Sequence, residues 1–175
     1  MDKPTFESIV SEYRRWIRKT LSRLGICSSD LDDVVQAVLR GVARGLPTFD
    51  PSRATAPEKA VSSWLFAICQ RQAANHRRAK CRRREDVRET RELDAFGSGA
   101  PTPETSLLAC ELEARLHEVL QEIDPDRRAV IVAYELEGIA MAEVAVMFGI
   151  PVNTAWNRLR LAREDIREAF RRQDK

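Results

Sequence analysis

Residues 136–164 of this 175-residue chain read LEGIAMAEVAVMFGIPVNTAWNRLRLARE. Apolar residues recur there at helical spacing on both sides of Gly149-Ile150-Pro151, which is a turn signal. The pattern predicts a short helix over GIAMAEVAVMF, a tight turn at GIP and a longer helix that continues to Phe170. Two helices joined by so short a connection are typical of a helix-turn-helix.

The longer of these two helices has two chemically different faces. At 100° per residue, one sector holds small and apolar residues that are expected to face the core, namely Ala155, Leu159, Ala162, Ile166 and Phe170. The other side carries four polar residues, Thr154, Asn157, Arg160 and Glu164. Trp156 and Arg158 flank this polar side, and Arg163 lies near the buried edge. All except Glu164 are candidates for DNA contact. Arginine, asparagine and hydroxyl side chains read bases and phosphates in the major groove. For an isolated helix, a solvated charged face is the better explanation, but the preceding helix and turn reverse that preference and favour a DNA-reading helix.

Helical periodicity also runs through the rest of the chain. Stripes of apolar residues begin at Phe6, at Leu31, at Val61 and at Leu108. Ser28-Ser29-Asp30 is a capping signal for the second stripe, and Asp126 is a candidate cap after the break at Asp124-Pro125. No run alternates with period two, so the predicted fold class is all-α.

Residues 92–106, ELDAFGSGAPTPETS, are rich in Gly, Pro, Ser and Thr and nearly free of bulky apolar side chains. This composition is typical of a flexible linker. The predicted organisation is therefore two small helical domains, residues 1–90 and 108–175, joined by a linker over residues 91–107. A proline-rich loop is expected over residues 47–57.

The third helix ends in a dense basic stretch, HRRAKCRRR, residues 76–84, in which six of nine positions are Lys or Arg. Such a density of cations favours an anionic partner. The same predicted helix carries Trp64, Arg71 and Asn75, which can add stacking and amide contacts to phosphate neutralisation. The combination points to single-stranded or melting DNA, and the alternative is a helix end that simply carries cations to complement its dipole.

Asp30, Asp32 and Asp33 lie at the start of the second helix, where carboxylates cap a helix and complement its dipole. Val34, Val35 and Gln36 follow directly. The segment can also be an acidic and apolar surface that binds a second protein. Periodicity leaves both interpretations open.

Composition excludes several other classes. Lys and Arg number 29 against 27 Asp and Glu, and the net charge of +2 argues against a polybasic tail or an acidic disordered chain. No run approaches the length of a membrane span and the start has no apolar signal region, so a cytoplasmic protein is expected. The four cysteines are scattered and expected to be reduced thiols. No metal-ligand spacing, phosphate loop or Ser/His/Asp set is present, so we expect no enzyme, cofactor, metal or small-molecule substrate.

The blocks DLDDVVQAVLRG, FDP, WLFAICQRQAANHRRAK and LEGIAMAEVAVMFGIPVNTAWNRLRLARE occur in this order, with a linker before the last. Together they resemble the extracytoplasmic-function sigma factors of bacterial RNA polymerase over nearly the full chain. The resemblance implies a sigma factor that recruits core polymerase to specific promoters and promotes DNA melting. It also implies control by an anti-sigma factor, which in this family is often anchored in the membrane.

The resemblance assigns three sets of site residues. The surface that docks on the β′ clamp helices comprises Asp32, Asp33, Val34, Val35 and Gln36. Minus-ten DNA is bound by Trp64, Arg71, Asn75, His76, Arg77, Arg78 and Lys80, in a region that also includes Phe49, Asp50 and Pro51. The helix-turn-helix reads minus-thirty-five DNA through Thr154, Trp156, Asn157, Arg158, Arg160 and Arg163, while its domain leans on the β flap.

The chain departs from the family's pattern in places. The loop before Trp64 is longer than usual, so the pocket for a flipped base within residues 52–63 is not assigned. Arg71, Ala43 and Trp156 replace the commoner Asn, Trp and Lys, which predicts unusual promoter preference. The alternative functions are a stand-alone helix-turn-helix regulator or RNA-binding adaptor, and an enzyme acting on nucleic acid with Asp86 and Glu89 near the basic helix.

Overall fold

The computed structural model describes residues 4–53, 56–86 and 106–173, and each regular element in these ranges is helical. The predicted all-α class is confirmed. The α-helices are α1 Phe6–Arg23, α2 Ser28–Gly45, α3 Ala60–Asp86, α4 Ser106–Glu122, α5 Pro125–Ile131, α6 Met141–Phe148 and α7 Val152–Gln173. The segment expected as a proline-rich loop contains three short 3₁₀ turns, Leu46–Thr48, Pro51–Arg53 and Pro57–Lys59.

Two predicted helix caps are wrong. Cys27 precedes α2 in extended conformation without a side-chain cap, and the serines and Asp30 lie inside the first turn. The residue that caps α5 is Asp124, whose Oδ1 accepts the backbone N–H groups of Asp126 at 3.0 Å and Arg127 at 3.2 Å. Pro125 takes the first helical position, where its missing N–H has no cost, so the cap lies two residues earlier than predicted.

The first three helices form a compact group around a shared apolar core. Each contributes one buried stripe: Ile9, Ile17 and Leu21 from α1, Val34, Val35, Val38 and Val42 from α2, and Leu65, Phe66, Cys69 and Ala73 from α3. The stripes follow the helical period, so α2 turns its other flank to solvent. This packing positions the basic end of α3 beside the acidic start of α2.

The C-terminal helices build the predicted helix-turn-helix. A π-helical turn, Val132–Leu136, follows α5 directly. Gly138 has a φ of 64°, which ends that turn, and α6 begins at Met141, three residues later than the pattern suggested. Gly149 ends α6 in the left-handed conformation, φ 63° and ψ 36°, which favours glycine, and its sharp turn leads into α7.

The two helical groups are in contact, because α1 packs against α4 and the buried residues form one continuous cluster. α4 begins at Ser106, two residues before the predicted second domain. Most of the predicted linker, residues 91–105, lies outside the described residues. The domain limits 1–90 and 108–175 therefore stay a prediction.

Candidate nucleic-acid interface

The exposed face of α7 matches the face expected from its periodicity. Ala155, Leu159 and Ala162 are buried, while Thr154 and Asn157 are exposed. The helix starts immediately after the turn at Pro151, so its first turns project from the domain surface. This is the geometry by which the second helix of a helix-turn-helix enters a major groove.

Each arginine expected on this helix is already paired with a carboxylate. The Arg160 guanidinium donates to Glu164 and, at 3.2 Å, to the Asn157 Oδ1 atom. Arg158 pairs with Asp126 at 3.0 Å, and Arg163 pairs with Glu135. A contact of these arginines with DNA would therefore replace intramolecular ion pairs, and surface pairs of this kind contribute little to stability.

Apolar side chains stand beside these arginines. Trp156 is 44% exposed, and its ring meets that of Tyr134 edge-on with centroids 5.4 Å apart. Val152, one helical turn earlier, is 42% exposed. Val152 was not among the residues predicted to contact DNA. Its position at the start of the helix, directly after Pro151, could have indicated that it is exposed on this face. Exposed apolar groups on such a face suit contact with thymine methyl groups.

The residues expected to bind minus-ten DNA divide into two sets on α3. Arg71, Asn75 and Arg78 are exposed, and Arg82 extends the same stripe at helical spacing. The side chains of Arg83 and Arg84 lie outside the described part. The stripe is therefore a continuous basic surface along one side of the helix.

The second set on α3 is turned toward other helices. His76 Nε2 and Lys80 Nζ lie 2.9 Å and 3.0 Å from the Asp30 Oδ2 atom at the start of α2. Arg77 is half-buried and donates to the Leu24 carbonyl at 3.5 Å, and burial lowers the pKa of its guanidinium. These three residues orient α3 in the present arrangement.

Asp30 does not cap α2, contrary to expectation. Partial burial raises the pKa of its carboxyl group, but hydrogen bonds and charge from Lys80 and His76 outweigh burial and leave the pKa below its ordinary value. The carboxylate thus joins α2 to α3. The sequence gives no local pattern that predicts the pairing of Asp30 with His76 and Lys80, because these partners lie 46 and 50 positions away.

The expected polymerase surface at the start of α2 needs one correction. Val34 is 4% exposed and Val35 is fully buried, so both belong to the core and present no surface to a partner. The helical period explains this, since two neighbouring valines fall on the inner face of α2. Asp32, Asp33 and Gln36 are exposed, and Asp32 pairs with Arg18 of α1.

Trp64 is partly buried and stacks on Phe49, with ring centroids 4.6 Å apart and a tilt of 36°. Asp50 closes the following turn, because its Oδ1 accepts the Ser52 backbone N–H at 3.0 Å and the Ser52 hydroxyl at 2.7 Å. Residues 54 and 55 lie outside the described part. The expected base pocket within residues 52–63 is therefore still unassigned.

The described ranges contain no group of three or more His, Cys, Asp or Glu side chains that could hold a metal ion. Among the same residues, no helix is both long enough and apolar enough to cross a bilayer. Cys27, Cys69 and Cys81 are free thiols, and burial raises the pKa of Cys69 far above its ordinary value.

Comparison with known proteins assigns the family. The models for sigma-70 region 2 and sigma-70 region 4 match residues 9–83 and 113–166. The RNA polymerase sigma-H factor of Pseudomonas aeruginosa is 29% identical over 97% of this chain and 88% of its own length. The ECF RNA polymerase sigma-E factor of Escherichia coli K12 is 30% identical over 94% of this chain and 86% of its own.

Two solved structures share the fold. CnrH, in complex with the cytosolic domain of CnrY, has a TM-score of 0.60 at 24% identity and covers 97% of this chain and 89% of its own. RpoE from Bartonella quintana, in complex with the anti-sigma factor NepR, has a TM-score of 0.74 at 17% identity, with 95% and 96% covered. The fold and both matched regions define a sigma-70-type transcription initiation factor. Within that class, the chain belongs to the extracytoplasmic-function sigma factors.

Proposed function

We propose that this chain is an alternative sigma factor that recruits core RNA polymerase to specific promoters and promotes DNA melting at initiation. The observation that carries the proposal is the presence, in one chain, of two separate faces suited to nucleic acid. One is the exposed side of α7 in a helix-turn-helix, and the other is the basic stripe Arg71, Asn75, Arg78 and Arg82 on α3. α7 reads the minus-thirty-five element, and the stripe holds the melted minus-ten strand.

The polymerase contact proposed for α2 uses its exposed acidic start. Asp32, Asp33 and Gln36 are the exposed members of the expected set, and they dock on the β′ clamp helices. The buried Val34 and Val35 hold α2 in place beneath them. A second contact joins the C-terminal domain to the β flap.

The proposed role involves no catalysis by this chain, because the polymerase carries out the chemistry and the sigma factor binds and positions. We also propose a cytoplasmic location and control by a membrane-anchored anti-sigma factor. The membrane anchor follows from the family resemblance alone. Support for a protein partner comes from the two solved neighbours, CnrH and RpoE, each of which was determined in complex with a second protein. For RpoE that protein is an anti-sigma factor.

The experiment that tests the function is run-off transcription with core polymerase and a genomic promoter library. Initiation at a defined subset of promoters that share two spaced elements is expected only when the protein is present. Binding of duplex DNA by the pure protein, with no effect on core polymerase, would instead indicate a stand-alone regulator.

Two variants separate the proposed roles. Arg160→Ala is expected to lower initiation at promoters with a strong upstream element by about tenfold, because one good base contact contributes about 1–3 kcal/mol. Asp33→Ala combined with Gln36→Ala is expected to abolish core binding in a pull-down while circular dichroism shows native helicity. Equal loss of core binding in both variants would contradict this division.

A further inference from the structure

One carboxylate connects the two helical groups. Glu137 lies after the π-helical turn, and its side chain is only 8% exposed. Its Oε2 accepts the Trp16 Nε1–H at 2.9 Å, and its Oε1 lies 3.4 Å from both the Thr20 hydroxyl and the Arg23 Nη1 atom. All three donors belong to α1, so the acidic group of the C-terminal domain is satisfied entirely by the N-terminal one.

A second contact lies beside the first, at the C-terminal end of α1 and in the turn that follows it. Arg128 of α5 is 6% exposed and donates to the Gln121 side chain at 3.0 Å and to the Ile123 carbonyl at 3.0 Å. It lies against Gly25, where a Cβ atom would come within 1.8 Å of the guanidinium Nη1. Gln121 donates in turn to the Ser22 carbonyl at 3.2 Å. The C-terminal end of α1 and the turn after it therefore pack against α4 and α5.

A third contact adds to these two. Lys59, just before α3, donates to the Gly138 carbonyl at 3.1 Å, next to Glu137. Residues 137 and 138, which precede the helix-turn-helix, are therefore contacted both by α1 and by the residue before α3. The interface combines these polar contacts with apolar packing, because the buried residues of both helical groups form one continuous cluster.

The same arrangement brings the basic end of α3 close to the helix-turn-helix across one groove. A groove of about 840 Å³ is lined by Arg77, Arg78 and Arg82 of α3 and by Phe148 and Arg158 of the helix-turn-helix. Arg158 is the member of the α7 candidate set that lines this groove, opposite the basic end of α3.

This geometry conflicts with simultaneous promoter contact. The minus-ten and minus-thirty-five elements are about 25 base pairs apart, or about 85 Å at 3.4 Å per pair. A compact chain of this length has a radius of gyration of about 16 Å. The arrangement seen here therefore cannot place α3 on one element and α7 on the other.

We propose that the α1 surface formed by Trp16, Thr20 and Arg23 is a docking site for the chain's own C-terminal domain, and that Glu137 holds the free protein in a closed, inactive form. The inference rests on the proposed function, because only a factor that spans two promoter elements has to open. Opening exchanges the three donors around Glu137 for water and exposes the apolar contacts beside them. Core polymerase and promoter DNA supply the binding free energy for that change.

The test compares Glu137→Ala with the wild type and with Glu122→Ala. Glu122 pairs with Arg172 within the C-terminal domain, so its substitution removes the same charge without touching α1. Small-angle scattering of the full chain is expected to give a radius of gyration near 16 Å for wild type and control, and above about 20 Å for Glu137→Ala. Run-off transcription at limiting protein is expected to rise about fivefold or more in Glu137→Ala alone.

A second variant keeps the proposal testable if Glu137→Ala fails to fold. Trp16→Phe with Arg23→Ala removes two donors from the α1 side and leaves the helix-turn-helix unchanged, and it is expected to open the chain equally. Unchanged scattering in a folded variant, or an open chain with unchanged or lower transcription, would overturn the proposal. Failure of the wild type and of every open variant to initiate would instead overturn the proposed sigma function.

Discussion

Asp30 joins two helices that the proposed function assigns to different partners. Its carboxylate is bound by His76 and Lys80 of α3, while its neighbours Asp32 and Asp33 face solvent for the polymerase. The Asp30 carboxylate therefore adds a polar contact to the apolar core that sets the angle between α2 and α3. Its contribution to stability follows from the lowered pKa of Asp30.

Asp30→Asn is expected to lower the free energy of unfolding by about 1 kcal/mol at pH 7, because charge-assisted hydrogen bonds are lost. Asp30 has a folded-state pKa below its unfolded value of about 3.9, so the stabilisation is complete above that pH. It fades as the pH falls through the lower folded value. Urea unfolding at pH 7 and near pH 3 measures the difference between wild type and variant at each pH.

The control for this prediction is Asp32→Asn, whose carboxylate is 76% exposed and pairs with Arg18. A pair so exposed contributes little, and the variant should unfold nearly as the wild type does at both pH values. A constant difference between wild type and Asp30→Asn from pH 7 to pH 3 would contradict the role of the ionised carboxylate.

Trp156 yields a prediction about base preference. Its exposed ring, held by Tyr134, is expected to contact a thymine 5-methyl group in the upstream element. Replacing that thymine by deoxyuracil removes only the methyl group and should weaken holoenzyme binding about fourfold, or about 0.8 kcal/mol. In Trp156→Ala the same replacement should have no effect. Fluorescence anisotropy measures the affinity of each protein, wild type and Trp156→Ala, for the thymine and the deoxyuracil duplex. An equal effect of the replacement in both proteins would show that Trp156 does not contact this methyl group.

Helices themselves were the most predictable elements of this molecule. α7 was recognised because its small residues repeat at helical spacing, and burial of Ala155 and Leu159 confirms the face. The caps were less predictable, since Asp124 and Asp126 carry the same side chain and only the position of Pro125 separates their roles. The contacts of Glu137 were not predictable at all, because its partner Trp16 is 121 residues away.

The turn after α1 supplies a test at the level of the element. Gly25 has a φ of 91° and touches Arg128, whereas Gly149 has a φ of 63° and open space within 4 Å of the point that an alanine methyl group would occupy. Gly149→Ala should therefore cost only the backbone strain, about 1–2 kcal/mol. Gly25→Ala adds a collision with a buried guanidinium and should cost about 2–4 kcal/mol. Urea unfolding monitored by circular dichroism compares the two, and equal losses would mean that Arg128 moves aside freely.

At the scale of the whole molecule, specificity depends on two weak contacts held by one polymerase. Tethering makes the second contact intramolecular, so the distance and rotation between the promoter elements become part of the recognised signal. In the proposed function, two small surfaces, the stripe on α3 and the exposed turns of α7, would select a promoter together for this reason.

Insertion of five base pairs between the two elements turns the upstream element about half a helical turn away. Initiation is then expected to fall more than tenfold, because α7 no longer reaches its groove while α3 is engaged. Run-off transcription on the paired templates measures the change. Equal output from both templates would show that α7 makes no contact during initiation.

The groove between α3 and the helix-turn-helix also contains Asp124 and Asp126, and both carboxylates act on Arg77. They occupy the neighbourhood in which a phosphate backbone would otherwise sit. The free molecule therefore shields part of its own cationic surface, and we expect it to bind random chromosomal DNA weakly. Promoter search would then be carried out by the complex with polymerase, and excess free protein would occupy few nonspecific DNA sites.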